Sequence, residues 1–397
     1  VKLGLQNRHF YQKRNKEQLI YQTLLCMQKP VVITAKINLS NSLLMFKISR
    51  PSIIGKIIIA GTLSCFIFSN ITAQTVAVDS IAERMLVYQR SYGGWPKAIH
   101  EQKVDYAISL SEQARKEIIQ ESKNDDATID NKATSREIIY LIHAYAITKN
   151  ETYLKAVKRG IDYILEAQYD NGGWPQYYPN KKIYRAQITY NDDAMINVLN
   201  ILQDVAALKG DYAVLGQEYA KKAQIAVDKG LKCILKTQVI LKGKLTVWAA
   251  QYDEKTLVPA KARAFELPSL SSSESSNIVK FLMRQKNPSP EVIKAITNAV
   301  QWFDDVKISG FKIEQIDDPR QPKGKDRVLA SDASSVIWAR FYDLDKMEPM
   351  FVGRDGIPKK TLAEIDNERR TGYAWYGTWG AKLPKEYDRW KKANNIK

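Results

Sequence analysis

The chain has 397 residues, 45% of them hydrophobic and 26% charged, which excludes a disordered or fibrous protein and leaves room for one large domain or two moderate ones. The formal net charge is +17; residues 1–74 carry ten Lys and Arg against one acidic residue, and the remainder stays basic with 50 against 42. Such a surface suits nucleic acid, an anionic membrane or an acidic polymer. Of three cysteines only Cys233 lies beyond residue 74, so a disulfide within that part is impossible and a cysteine metal site is excluded. Its only histidines are His100 and His143, too few for a zinc site or a histidine-based triad, and both read as structural.

From Met45 the chain has a cationic start (Lys47, Arg50, Lys56), an apolar run from Ile57 to Phe68 and a small-residue exit at Thr72 and Ala73. That pattern is a secretory signal peptide over 45–74, with an apolar run too short to span a bilayer. Residues 1–44 read as an upstream extension, and residues 75–397 as a single catalytic domain. Export without disulfides suits a secreted or periplasmic bacterial protein, with no membrane contact in the mature form.

Two segments repeat: YQRSYGGWPKAI and AQYDNGGWPQYYP share Gln, three residues, then Gly-Gly-Trp-Pro, at 89–96 and 168–175. Between them and beyond, "SREIIYLIHAYAIT" and "YLKAVKRGIDYILEAQ" carry apolar residues at helical spacing. A third, weaker copy aligns Gly160, Tyr163, Ile164 and Gln168 with Gly230, Cys233, Ile234 and Gln238. Repeats of this length predict a mainly α fold, an α/α toroid of stacked helix pairs in which each inner helix ends at a Gly-rich turn and a Trp plugs the gap to the next pair; Trp95 and Trp174 read either as such plugs or as platforms that stack on a sugar. After residue 240 the helical signal weakens and a smaller β-containing portion is expected. "KLTVWAAQYD" reads as a short strand, "LPSLSSSES" as a tight loop with a helix cap, and "SNIVKFLMRQ" and "PEVIKAITNAVQWFDDV" as helices. The stretch from Ser331 to Lys359 reads as a hairpin whose two arms carry Arg340 and Arg354.

Two acidic clusters stand out, Asp125, Asp126, Asp130 and Asn131, and Asn191, Asp192 and Asp193. Each precedes an apolar helix, so the residues serve either as helix caps or as oxygen ligands for a hard cation such as calcium. The basic candidates are Lys261, Arg263, Arg340 and Arg354; Arg354 lies in a Gly-Arg-Asp-Gly turn, and arginines suit bidentate carboxylate recognition.

"GGWP", "TIDNKAT", "ITYNDDAMINVL", "VWAAQYDEKTLVPAKARAFELPSLSSSES", "WARFYDLDKMEPMFVGRDG" and "ERRTGYAWYGTW" together resemble the pectate lyases of polysaccharide lyase family 10, over about residues 78–385. The resemblance implies an α/α toroid, Ca2+ dependence and β-elimination on polygalacturonate, giving 4,5-unsaturated oligogalacturonates. It implies Arg263 as catalytic base, with Glu266 placed to orient it. It implies Arg340, Arg354, Lys261, Asp130 and Asn131 as substrate-binding residues, and Asp130, Asp192 and Asp193 as metal ligands. Lys132 stands where the family is expected to have glycine. A guanidinium is ordinarily always protonated, so a base role requires a desolvated, cation-rich site that disfavours its charge. A monomer acting on oligosaccharide, with no nucleic-acid partner, completes this reading.

Two other readings are separable. A non-catalytic acidic-glycan binder would use the same arginines without releasing an unsaturated product. A terpene cyclase shares the helix-end repeat and an α/α barrel, but "NDDA" is not the Asp-x-Asp-Asp that such an acid requires.

Overall fold

Each apolar stripe predicted in the sequence becomes a helix with one buried face in the computed structural model, which describes residues 78–396. The signal peptide at 45–74 and the extension at 1–44 lie outside the described residues. Helices α1 (Ser80–Tyr88) and α2 (Glu112–Gln120) lead into three antiparallel pairs: α3 (Ser135–Thr148) with α4 (Glu151–Ala167), α5 (Ala194–Ala206) with α6 (Gly216–Thr237), and α7 (Ser272–Met283) with α8 (Pro290–Asp305). Short helices α9 (Asn367–Gly372) and α10 (Leu383–Ala393) follow, and α10 packs on α7 and α8. The fold is mainly α, an α/α toroid.

The two layers follow from burial. In α4, Leu154, Val157, Ile161 and Ile164 recur every three or four residues and put one face in the core. Most of the circumference of α5 and α7 is buried, so α3, α5 and α7 form the inner layer and α4, α6 and α8 the outer one.

The Gln and Trp of the repeat explain how one pair finds the next, and they correct one expectation. The Gly-Gly-Trp-Pro turns close outer helices, not inner ones. Trp95 and Trp174 are fully buried and donate their indole N–H to carbonyls in the last turns of α1 and α4, Met85 at 2.8 Å and Ile164 at 2.7 Å. Trp248 does the same to Ile234 of α6 and Trp338 to Phe303 of α8, both at 2.8 Å. Gln89, Gln168 and Gln238 each donate to the following turn and to a carbonyl one outer helix onward: Ala156, Ala226 and Ala295. These amides stitch the outer layer together in sequence order and satisfy carbonyls that packing would otherwise strand. The helices leave room for the indoles by carrying glycine: a Cβ on Gly160 would lie 2.8 Å from Trp95, and one on Gly230 3.2 Å from Trp174. The tryptophans are therefore plugs and are not open to a sugar.

The β portion differs from the hairpin expected at 331–359. The long hairpin pairs Ile308–Asp317 with Lys325–Ala339. Phe341–Tyr342 pairs with Leu270–Ser271 and Phe351–Val352 with Pro358–Lys359, while Tyr342 also bridges Pro349 and the Met350 N–H donates to Phe341 O at 3.0 Å, so only a short antiparallel turn joins the segments that carry Arg340 and Arg354. The reason lies in Trp338 and Tyr342, whose burial and bonds to Phe303 and Val306 anchor the chain to the end of α8 and break the strand at Arg340. Among the described residues no helix is long and apolar enough to cross a membrane.

Candidate active site

The inner helices start in an unusual way. α3 is preceded by Asn131 and Lys132 at φ 50° and 66°, and α5 by Asp192 and Asp193 at φ 52° and 61°. Two successive left-handed residues without glycine are costly for L side chains. Lys132 at φ 66° accounts for the glycine expected there: the position asks for left-handed backbone, and lysine adopts it under strain. No side-chain cap bond is made at Thr134, Asp193 or Ser271, which begin α3, α5 and α7, whereas Asp79, Asn150 and Ser289 cap α1, α4 and α8. The capping alternative for the acidic clusters therefore fails at the inner helices. Their N-termini adjoin one another and lend partial positive charge to that end of the toroid.

The acidic residues at this end form one network. Asp130 is buried and accepts from Lys97 and from the backbone N–H of Asn131 at 2.9 Å. Arg340 is 8% exposed and donates to Glu274 Oε1 at 2.5 Å and to Asp192 Oδ1 at 3.4 Å, while its Nε has no partner. Burial opposes the charge on Arg340, but Glu274, Tyr373 and Asp192 outweigh it and its pKa is raised. Burial raises the Asp192 carboxyl; Arg340 lowers it, while Glu274 and Asp130 add to the rise. Asp193 turns to Asn277, whose side-chain amide donates to it at 3.0 Å. Asp126, by contrast, takes both N–H groups of the fully buried Arg90 at 2.6 Å each and is structural.

A second group centres on the ring of Phe265. Arg263, Arg354 and Arg369 lie 5.2, 4.6 and 4.9 Å from its centroid. Arg263 is half-exposed and bonds Glu266, and that bond, ahead of an opposing burial effect, raises its pKa. The expectation that the site itself disfavours charge on Arg263 is thus not met here, because Glu266 neutralises it. Arg354 pairs with Glu368 at 2.9 Å. Arg369 is the group that burial does push down, and its Nε has no partner. Tyr373 joins the two groups, its ring 4.8 Å from both Arg340 and Arg369. Lys261 is exposed; its carbonyl accepts from the Gln187 amide at 2.8 Å.

The structure therefore brings Asp130, Asn131, Asp192, Asp193, Arg340, Arg263 and Arg354 to one end of the toroid, and Glu266 does orient Arg263. Glu274, Lys97, Arg369 and Tyr373 were missed. Glu274 is hidden in a serine run that reads as loop and cap. The Ser271 hydroxyl donates to Glu274, Ser272 to Ala339 O at 2.6 Å and Ser275 to Trp248 O at 3.2 Å, so the serines are scaffold. Lys97 and Arg340 had a readable signal: each lies two residues after a plug tryptophan, Trp95 or Trp338. His100 and His143 bond Glu121 and Asp211, away from these groups.

Among the described residues no group of three or more His, Cys, Asp or Glu side chains is gathered as a metal site. The donors present are all oxygen, and Glu274 and Asp130, which add to the rise that burial causes in the Asp192 carboxyl, crowd it with charge that a hard cation relieves. They fit calcium as a partial shell that a ligand would complete.

Burial, reinforced by Glu274, pushes the Asp193 carboxyl up to about 6. The folded protein thus holds this proton more tightly than the unfolded chain, where the value is about 4. Ionising Asp193 costs stability progressively from about pH 4 to 6, and the full cost remains above that window. Asp193→Asn is expected to raise stability by on the order of 2 kcal/mol at pH 8 and by almost nothing at pH 4. Thermal unfolding in chelator checks this, and equal differences at both pH values would remove the burial explanation.

A family model described as pectic acid lyase matches residues 89–384. Among solved structures, a family 10 polysaccharide lyase from Cellvibrio cellulosa is 32% identical, covering 78% of this chain and 91% of that one at a TM-score of 0.68. An aspartate-to-alanine mutant of a family 10 polysaccharide lyase from Cellvibrio cellulosa, in complex with trigalacturonic acid, is also 32% identical, covering 78% and 92% at a TM-score of 0.69.

Proposed function

The chain belongs to the pectic acid lyase family and is a pectate lyase, and from that premise we propose that it is calcium-dependent and cleaves α-1,4-linked polygalacturonate by β-elimination to 4,5-unsaturated oligogalacturonates. The observation that carries this reading is the joining of an acidic group (Asp130, Asp192, Glu274) to an arginine group (Arg263, Arg354, Arg369) through Arg340 and Tyr373. Carboxylates alone would repel a polyuronate; here arginines line its path.

In this reaction the C5 proton, α to the uronate carboxylate, is removed, charge builds on that carboxylate, and the C4 oxygen leaves as the C4–C5 double bond forms. Arg340, with an unpartnered buried Nε, is placed to donate to the carboxylate as it gains charge. Arg354, on an exposed turn, and Lys261 bind neighbouring uronates, and Asn131 adds an amide beside Asp130. Arg263 takes the C5 proton as its neutral guanidine, after giving one proton to solvent. For this, Glu266 must release it, and Arg369, within electrostatic reach of Glu266, offers the acid another partner. Calcium held by Asp130 and Asp192, with Asp193 behind them, would neutralise carboxylate charge between enzyme and substrate. Export through residues 45–74 to the periplasm or medium, a single domain over 75–397 and action as a monomer belong to the same proposal.

A chelator is expected to abolish the rise in absorbance near 235 nm, about where conjugated uronates absorb, and added calcium to restore it. Since the protein supplies fewer than the roughly six to eight oxygens calcium takes, calcium is expected to bind more tightly with trigalacturonate present, as read by calorimetry. Chelator-insensitive cleavage would overturn the calcium assignment, and binding without any unsaturated product would favour the glycan-binder reading.

A further inference from the structure

Arg185 sits beside this site without a role in it. It is half-buried, and its guanidinium lies 4.5 Å from the centre of the Tyr177 ring. Arg263, Arg340 and Arg354 pair with Glu266, Glu274 and Glu368, yet no carboxylate of the described residues pairs with Arg185. The Tyr177 ring is shared with Lys97, 5.7 Å from its centroid, and Lys97 bonds Asp130, so Arg185 stands one aromatic ring away from the acidic group. On its other side, Tyr184 is within electrostatic reach of Arg263, and Gln187 donates to the carbonyl of Lys261.

The segment is held firmly enough to aim the side chain. The backbone N–H of Gln176 donates to the carbonyl of Arg185 at 3.0 Å, and the Tyr169 hydroxyl donates to that of Ala186 at 2.7 Å. A guanidinium supported on a ring and left without an acid among the described residues is a prepared carboxylate receptor.

We propose that Arg185, carried on Tyr177, binds the carboxylate of a uronate residue beyond those engaged at Arg340 and Arg263, so that the cleft grips chains longer than a trimer. This rests on the pectate lyase reading and deepens it: the enzyme gains rate from chain length. Polygalacturonate offers one carboxylate per sugar, so each added residue within reach meets another planar, bidentate anion.

Lys181 supplies the control. It stacks on Tyr169 and Tyr178, 4.5 and 5.2 Å from their centroids, and Tyr178 turns to Tyr163 and Glu166 while its neighbour Tyr177 faces Lys97. It is equally basic and close in sequence, but it stacks on Tyr169 and Tyr178 and not on the Tyr177 ring that carries Arg185.

The test compares tri- and hexagalacturonate in steady-state cleavage for wild type, Arg185→Ala, Arg185→Gln and Lys181→Ala. The glutamine variant keeps an aliphatic stem on Tyr177 and guards against a folding defect. Both Arg185 variants are expected to lose about tenfold in kcat/KM on the hexamer and less than about twofold on the trimer, the loss of one charge-assisted contact. Lys181→Ala is expected to change neither length by more than about twofold. Equal losses on both lengths, no loss on the hexamer, or the same length dependence in Lys181→Ala would overturn the proposal. Calorimetric titration of the two oligomers on the same variants reads the contact directly, so a wild type that yields no unsaturated product would sink the catalytic reading and still decide this one.

Discussion

Replacing Arg263 by lysine is expected to lower turnover on polygalacturonate about a thousandfold, the range of a lost general base, while trigalacturonate affinity stays within about threefold. Lysine keeps the positive charge, so attraction to uronate carboxylates persists. It loses the planar fork that bonds Glu266 and the flat face that lies on Phe265. The guanidinium is half-exposed and held charged by Glu266, so its reactivity as a base rests on placement, on release of that acid and on loss of one proton to solvent. Turnover measured at 235 nm together with calorimetric affinity separates the outcomes. Turnover near wild type removes the base role, and equal losses in turnover and affinity recast Arg263 as a binding residue.

The second large effect lies at Arg340. Arg340→Met is expected to cost about 3–5 kcal/mol of stability and to abolish cleavage, because it leaves Glu274 buried with an uncompensated charge. The two effects have different causes and are separable. Adding Glu274→Gln removes the stranded charge and is expected to restore most of the stability, since a buried pair replaced at both ends is close to neutral. It is not expected to restore activity, because the donor for the substrate carboxylate is still gone. Chemical denaturation and the lyase assay on both variants check this; recovery of cleavage in the double variant would deny Arg340 a part in the reaction.

The helix-end repeat was legible because it is local: Gln, Gly-Gly and Trp act within one turn and the next helix, so their spacing survives in the chain. The fourth copy escaped notice because Ala299 stands where Gly160 and Gly230 allow a close approach, and Lys307 where Gln168 and Gln238 stitch the outer helices. Only the Trp338 indole bonded to Phe303 reveals it. At the site, Asp130, Asp192, Arg263, Arg340 and Arg354 were found through motifs in which each is surrounded by distinctive neighbours. Glu274 was not, since five serines flank it and its partner Arg340 is 66 residues away. Arg369 and Tyr373 lay within a recognised motif, yet nothing in "ERRTGYAW" says that the first of its two adjacent arginines is buried against three rings.

By itself the sequence determined the helical repeat, the scarcity of histidine and thiol beyond residue 74 and the basic balance that suits an anionic partner. Those properties depend on periodicity and composition, which a linear chain displays. Which acid pairs with which arginine, that Glu266 keeps Arg263 charged while burial acts on Arg369, and that Arg185 has no acid among the described residues were decided only by the tertiary structure. Charge state depends on distance and burial, and both arise when segments far apart in the chain are brought to one end of the toroid.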